Sequence, residues 1–407
     1  MTGQRAPLAG LRVADFTWVW AGPFCTLQLA HLGAEVIRVE TATRICVTRL
    51  LPPYPRDMEF GPNRSGYFNQ YNQGKKSLTL DLKRPEAVAI AKRLCAASDV
   101  VVENFAAGVM DRMGLGYDVL RALRPDVVMI ALSGYGATGP DCDKVSYGPA
   151  QVPLSGLSSV TGYRGWPPMH VGISYGDPTG GLHGAVATLA ALLHRARTGE
   201  GQYIDLSQWE SSMTVLPEAI VSWTMNGVAP ARDGNRDAHM APHGIFRAAG
   251  DDRWIAIAIE DDAAWGRFAH CLGRPELGDD VRFATLVARK RHEDELETLV
   301  TEWTRTRSPE EATAELQMAG IAAFTAATNQ DVAEDAHLRA REFFVELPHA
   351  EVGVRRHIGV PWRMSASDCR VRRPAPCLGA DTDQVLRDVC GYGEAEIARL
   401  RAAQALV

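Results

Sequence analysis

The sequence predicts an α/β protein: a doubly wound, mostly parallel sheet with helices on both faces, joined to a smaller α+β region. Three observations predict it. Short apolar runs alternate with helix-length amphipathic segments from the N-terminus to about residue 207, the order that builds β-α-β units. The 407 residues are 46% hydrophobic and 23% charged, a globular composition with material for more than one core. Near residue 227 the alternation stops, and a loop rich in Pro, Gly, Asn and Asp leads into a hairpin and three helical patterns. The predicted division is therefore 1–226, 227–345 and 346–407.

Each element has its own signal. LRVADF (11–16) reads as a buried strand, AGP at 21–23 opens a helix that Gly33 closes, and EVIRVE (35–40) is the next strand. Residues 44–66 are polar, Pro-rich and too long for a plain connection, which predicts a functional or interface loop. Strands follow at 77–82, 99–105 and 127–133, with a Pro-started helix at 85–97 and two short helices before the last strand. Residues 147–163 read as loop with a short helix, 202–206 as strand, and 207–226 as one helix. The smaller region reads as a hairpin (244–246 and 254–259), helices at 261–271, 293–304 and 308–318, and a strand at 321–326. Ser308, Pro309 and Glu311 form a capping-box pattern. The tail has short strands and helices at 381–390 and 394–405. Ligands of such sheets sit beyond the carboxyl ends of the strands, which puts 16–20, 103–105 and 133–135 on one rim.

The stretch GISYGDPTGGLHGAVATLAALLHRAR (172–197) reads as a helix. Leu182, Val186, Leu189, Leu193 and many alanines make it apolar on nearly all sides, so it is expected to be buried. Asp177 before Pro178 is an N-cap signature, and capping donors with the positive helix end would hold the carboxylate ionised. A cap and a fixed, desolvated nucleophile share this signature; the residues alone leave both open.

Several function classes are excluded or disfavoured. The net charge of −6 has both signs interspersed, which argues against a nucleic-acid surface. No apolar run reaches membrane-spanning length, and the N-terminus lacks a basic segment before an apolar core, so a soluble, cytoplasmic protein is expected. The eight cysteines are scattered without CxxC spacing, which predicts reduced thiols and no metal centre. Gly134, Gly136 and Gly139 match GxGxxG after a strand, but Pro140 and Asp141 follow where a helix must start, so a tight turn is expected rather than a dinucleotide site. His183 and His194 on one helix, and His239 and His243 in the loop, are expected to pack or contact substrate rather than bind metal. Arg38, Lys75, Lys76, Lys83, Arg112 and Lys144 are singly solvated charges that together suit a phosphate-bearing ligand.

The combination is more specific than any part. PLAGLRVADFTWVWAGPFCTLQLAHLGAEVIRVE, LTLDLK, DVVVENFAAGVMDRMGLGY, LSGYGATGP and GDPTGG together resemble the class III CoA-transferase family, which includes carnitine, bile-acid and formyl/oxalate CoA-transferases and 2-methylacyl-CoA racemases. The resemblance covers almost the whole chain, is strongest over 7–215, and extends to TGEGQYIDLS and PCLGADTDQVL. It implies a Rossmann-like large domain made of the N-terminal part and the returning tail, a small domain between them, and an interlocked homodimer.

The resemblance further implies that Asp177 is the nucleophile of a CoA-transferase. Its partners would be an acyl-CoA donor and a carboxylic-acid acceptor, with coenzyme A as substrate and no metal or redox nucleotide. Backbone N–H groups near Gly180 and Gly181 would serve the oxyanion. For CoA it points to Trp20 and Ala21 after the first strand, where the formyl-CoA member has a Gln, and to Leu80 and Lys83 at the adenine end. It adds Asn104, Phe105 and Ala106 in the ENF turn, Tyr147, and Arg112 and Lys144 for phosphates. Thr41 stands where that member has an Arg, a contact that Arg44 could supply. Trp18, Trp20, Phe24, Trp166 and Met169 either pack or favour an aromatic or branched acyl group. The racemase alternative needs a histidine just after the GYG turn, where this chain reads KVSYGPA.

Overall fold

Six parallel strands carry the larger unit of the molecule. The computed structural model describes residues 5–57 and 59–407. The strands are β1 (Arg12–Asp15), β2 (Glu35–Glu40), β3 (Lys76–Thr79), β4 (Val100–Glu103), β5 (Val128–Ser133) and β6 (Gln202–Ser207). They lie in the order β3-β2-β1-β4-β5-β6, with β1 paired to β2 at Arg12↔Glu35 and to β4 at Val13↔Val100. The order reverses between β1 and β4, so the loops after these two strands diverge and leave a crevice.

Strand periodicity splits the core into two layers. Ala14, Ile37, Leu78, Val101 and Met129 face one way, with Ile90, Leu94, Val385 and Leu400 packed on them. Val13, Val36, Val102, Val128, Ile130 and Leu132 face the other way, against Leu29, Ala185 and Leu192. β1 to β5 thus bury both faces, as strands of a helix-covered parallel sheet do, while the edge strand β6 leaves Tyr203 and Asp205 exposed.

The helices of this unit are α1 (Ala21–His31), α2 (Gly66–Tyr71), α3 (Pro85–Ala96), α4 (Val109–Arg112), α5 (Tyr117–Leu123), α6 (Gly148–Leu154), α7 (Leu157–Val160), α8 (Gly176–Thr198), α9 (Gln208–Met213) and α10 (Pro217–Asn226). The single helix expected over 207–226 is broken, because Pro217 can start a helix but cannot sit inside one. The tail supplies the antiparallel hairpin β10 (Phe344–His349) and β11 (Gly353–Ile358), then helices Thr382–Asp388 and Glu394–Ala402. Asp381 and Thr382 accept from the Ser77 and Thr79 N–H groups at 2.9 and 3.1 Å, which satisfies the open edge of β3.

α8 corrects the expectation of a helix buried all round. Its small residues face inward, while Leu182, Val186 and Leu193 are 47%, 66% and 53% exposed. The reason is close packing on α1 and the sheet. A Cβ on Gly181 would stand 2.7 Å from the Ala21 carbonyl oxygen, and one on Gly184 2.6 Å from Leu132 Cδ2. The glycines let the backbones approach, and the aliphatic stripe is left on the outside.

The larger unit takes in residues up to Ser158, His170–Ala229 and Arg341–Val407; the second comprises Ser159–Met169 and Pro230–Ala340. The second unit has a three-stranded antiparallel sheet of β7 (His243–Arg247), β8 (Trp254–Ala258) and β9 (Ala322–Thr325). Six α-helices accompany it: α11 (Asp262–Cys271), α12 (Leu286–Arg291), α13 (Glu293–Thr304), α14 (Pro309–Met318), α15 (Asn329–Glu334) and α16 (Ala336–Ala340). Trp265, Phe268, Phe283, Leu296 and Val300 form its core, and the Ser308–Glu311 capping box is present. Among the described residues no helix is long and apolar enough to cross a membrane.

Candidate active site

A cavity of about 500 Å³ opens at the strand-order reversal, within the larger unit. Its size suits a small-molecule or cofactor site. The loops after β1, β4 and β5 line it, together with residues 41–44, 80–83 and 142–148. Asn104 clasps two of these loops: its amide oxygen accepts the Trp18 N–H at 2.7 Å and its amide nitrogen donates to the Trp18 carbonyl at 2.8 Å. Next to this clasp Val19 has φ 62°, a left-handed conformation that strains a β-branched residue. Such strain collects where a loop must be held open for a ligand.

Asp177 lines this cavity and is only 6% exposed. It is not the N-cap its sequence suggested. α8 starts at Gly176, so Asp177 sits inside the first turn, and its carboxylate turns away from its own helix. It accepts a short hydrogen bond from Ser174 Oγ on Oδ2 and another from the Ala21 N–H at the start of α1. Nor is it held firmly ionised. Burial dominates and pushes its pKa up to about 6, with Ser174 and Ala21 only partly offsetting it. No Lys or Arg pairs with it among the described residues. Gly148 is packed onto the same carboxylate, where a Cβ would lie 1.9 Å from Oδ2 and 2.1 Å from Ser174 Oγ.

The other predicted residues fall into three groups. Thr41, Leu80, Lys83, Asn104, Phe105, Ala106, Lys144 and Tyr147 all line the cavity. Lys83 and Lys144 are exposed, as is Arg44, which lies over the Trp18 ring at 5.3 Å. Lys144 also pairs with Asp141 at 2.7 Å. Trp20 and Ala21 are not in the lining: Ala21 serves Asp177 through its backbone, and Trp20 packs on Tyr67 and Tyr71 at 5.6 and 5.1 Å. Arg112 is exposed on α4, apart from the lining. Gly180 and Gly181 are not in the lining either: a Cβ on Gly180 would meet the Gln208 side chain, and one on Gly181 would meet α1.

Sequence reasoning missed six contributors. Ser174 and Gly148 carried no signal beyond a serine three residues before Asp177 and a glycine between Tyr147 and Pro149. Tyr67 and Tyr71 sit on α2, just beyond the stretch 44–66 read as loop. Both phenol pKa values are raised, by burial first and also by the nearby Asp177 charge. Gln208 lines the cavity with a buried side-chain oxygen that lacks a partner, and the Ser133 hydroxyl is likewise unpaired. The GxGxxG segment is the expected turn: Gly136 and Gly139 have φ +86° and +89°, and the Ala137 N–H donates to Asp205 at 2.7 Å.

A doubly wound sheet, a switch-point cavity and a buried, unquenched carboxylate define a class. The chain belongs to CoA-transferase family III, whose model matches residues 8–382, and it is an enzyme of that class. It is 33% identical over its whole length to the whole of a succinyl-CoA–D-citramalate CoA-transferase of Chloroflexus aurantiacus. It is 31% identical to a succinate–glutarate CoA-transferase of Agrobacterium fabrum, over 96% of this chain and 97% of that one. A crystal structure of a CAIB/BAIF family protein from Brucella suis matches with a TM-score of 0.87 and 31% identity, covering 95% of this chain and all of the other.

Proposed function

We propose that the chain moves coenzyme A from an acyl-CoA thioester to a free carboxylic acid, with Asp177 as the covalent carrier. One observation carries the reading: a buried carboxylate without a counter-cation shares a cavity with exposed Arg44, Lys83 and Lys144. The cations suit the phosphates of CoA, and Leu80, Phe105 and Ala106 offer apolar wall for the rest. Thr41, Asn104 and Tyr147 complete that wall, and Arg112 is assigned to a phosphate reaching past the lining. Trp20, with Tyr67 and Tyr71, stands on the acyl side of Asp177.

Asp177 attacks the thioester carbon, the C–S bond breaks, and CoA leaves as thiolate from a mixed anhydride. The thiolate attacks the aspartyl Cγ, releases the first acid as carboxylate, and leaves an aspartyl-CoA thioester. The acceptor carboxylate enters and the two steps run in reverse, with no net proton and no redox change. Burial serves this chemistry twice: it excludes water from the anhydride and leaves the carboxylate reactive. The racemase alternative is not supported, since no histidine lines the cavity and exposed His170 is turned to the Pro149 carbonyl.

The exposed aliphatic stripe of α8, and α10 with no buried residue, support an interlocked homodimer. In it, 1–226 with 346–407 would form the CoA-binding domain and 227–345 the small one. All eight cysteines are free, which fits a reducing cytoplasm. The test is exchange between a panel of acyl-CoA donors and free acids, followed by mass spectrometry. Asp177→Ala should lose exchange yet still bind CoA, and hydroxylamine should mark the Asp177 peptide of the wild type. Exchange that persists in Asp177→Ala would overturn the reading.

A further inference from the structure

We propose that the Ser174 hydroxyl is the oxyanion donor for the aspartyl group, holding Oδ2 of Asp177 so that Oδ1 alone attacks. The inference rests on the reading of Asp177 as carrier and adds a residue to it. Ser174 is 4% exposed, and its hydroxyl donates to Oδ2. Its position is fixed by the backbone, because the Asp177 N–H donates to the Ser174 carbonyl at 3.2 Å. Gly148 closes the other side of Oδ2, where not even a Cβ would fit. The two carboxylate oxygens are therefore unequal: Oδ2 is walled in and hydrogen-bonded by a side chain, and Oδ1 has no side-chain donor among the described residues.

This asymmetry has a chemical consequence. When the CoA thiolate adds to Cγ of the mixed anhydride, the π electrons of the Cγ carbonyl move onto Oδ2. The Cγ–Oδ1 bond then breaks, the donor acid leaves with Oδ1, and the Oδ2 carbonyl re-forms in the thioester. The acceptor carboxylate adds to the same Cγ, charge builds again on Oδ2, and the thiolate leaves. The oxygen it brought becomes the anhydride bridge. Ser174 faces the developing charge in both steps, and a donor that tightens as charge grows lowers that barrier. In the two steps at the acyl carbon the charge develops on the substrate's own oxygen, beyond Ser174. A neutral hydroxyl also suits the resting state, since a cation there would quench the nucleophile.

The experiment compares full-length wild type with Ser174→Ala, using the fastest exchanging pair in a panel from succinyl-CoA to benzoyl-CoA. The expected kcat loss is about 100-fold, with both KM values within about twofold. Because only the steps at Cγ slow, the anhydride waits longer, and the fraction of donor hydrolysed rather than transferred should rise. The acid limb of the kcat/KM profile should move to higher pH, because the variant lacks one donor to the ionised form. A kcat within about threefold of wild type, or a loss confined to KM, would overturn the role of Ser174. An unchanged hydrolysis fraction would do the same. If wild type gives no hydroxylamine-sensitive adduct on Asp177, the carrier reading itself fails; an adduct in both proteins with equal rates removes only Ser174.

Discussion

Two buried aspartates lie on either side of the start of α1, and their surroundings send them in opposite directions. Asp15 at the end of β1 is fully buried and accepts from the Thr17 N–H, both the Thr17 and Thr26 hydroxyls, and Lys75 Nζ at 3.1 Å. Burial alone would raise its pKa, but Lys75 and then Arg38 overcome that and hold it below the usual carboxylate range. Glu40 repeats the pattern between Arg38 and Arg49 and falls to about 2. Asp177 has a hydroxyl and one backbone N–H instead of a cation, and rises to about 6. Burial alone does not make a carboxylate reactive. What distinguishes the two is whether the partner carries a full charge that fixes the ion in place.

Exchanging each aspartate for asparagine should separate these roles most widely. Asp177→Asn should lower exchange by at least about 10⁴-fold, as loss of a nucleophile does. It should also stabilise the fold. The folded pKa of about 6 lies above the unfolded value near 3.8, so burying the ion costs about 3 kcal/mol at pH 8. That cost is relieved as pH falls from about 6 towards 3.8, because the folded state binds the proton first. Urea unfolding should show a gain at pH 8 about twice that at pH 5, since the cost is only partly relieved between the two pKa values. Asp15→Asn should instead destabilise by about 3–5 kcal/mol, since Lys75 would stay buried without its partner. The Asp15 contribution is present above the unfolded pKa and lost only as pH falls through its lower folded value. If both variants lost stability equally at pH 8, the contrast would be broken.

A steric change sharpens the same contrast without touching charge. Gly148→Ala places a methyl 1.9 Å from Oδ2, so the carboxylate must swing away from Ser174. A displacement of about 1 Å should cost on the order of 10²-fold in kcat, read from exchange with unchanged far-UV circular dichroism. In the wild type, kcat/KM should fall on acidification with a midpoint near pH 6, where Asp177 takes up its proton. A midpoint below pH 4.5 would place Asp177 with Asp15 after all.

Much of the sheet was legible because strand and helix signals are local. The strand read at 35–40 is β2 as formed, the helix read at 293–304 is α13, and the capping box starts α14 where Ser308 and Glu311 put it. The site was less legible because its decisive contacts are tertiary. An Asp-Pro pair signals an N-cap, but nothing in the neighbouring residues tells that burial outweighs the donors. An aliphatic stripe signals a buried face, but GDPTGG and Gly184 made the opposite face the tighter packer. Gly148 meets Asp177 only because α6 and α8 converge, and Tyr67 and Tyr71 join Trp20 only because α2 folds back onto the β1 loop.

The smallest effect belongs to the exposed part of the cavity. Lys83 is exposed, so its attraction for a phosphate is weakened by water and by salt. Lys83→Ala should raise KM for the acyl-CoA about threefold and leave kcat unchanged, because the contact is made equally in ground and transition states. The difference should shrink as salt is raised from about 0.05 to 0.5 M, where the screening length drops below the reach of a flexible lysine. The Ser174 and Gly148 effects should not respond to salt, since no ions reach a carboxylate that is 6% exposed. A salt-independent loss at Lys83, or one seen in kcat, would mean that this lysine acts on the reacting atoms and that the division between holding and reacting ends is drawn in the wrong place.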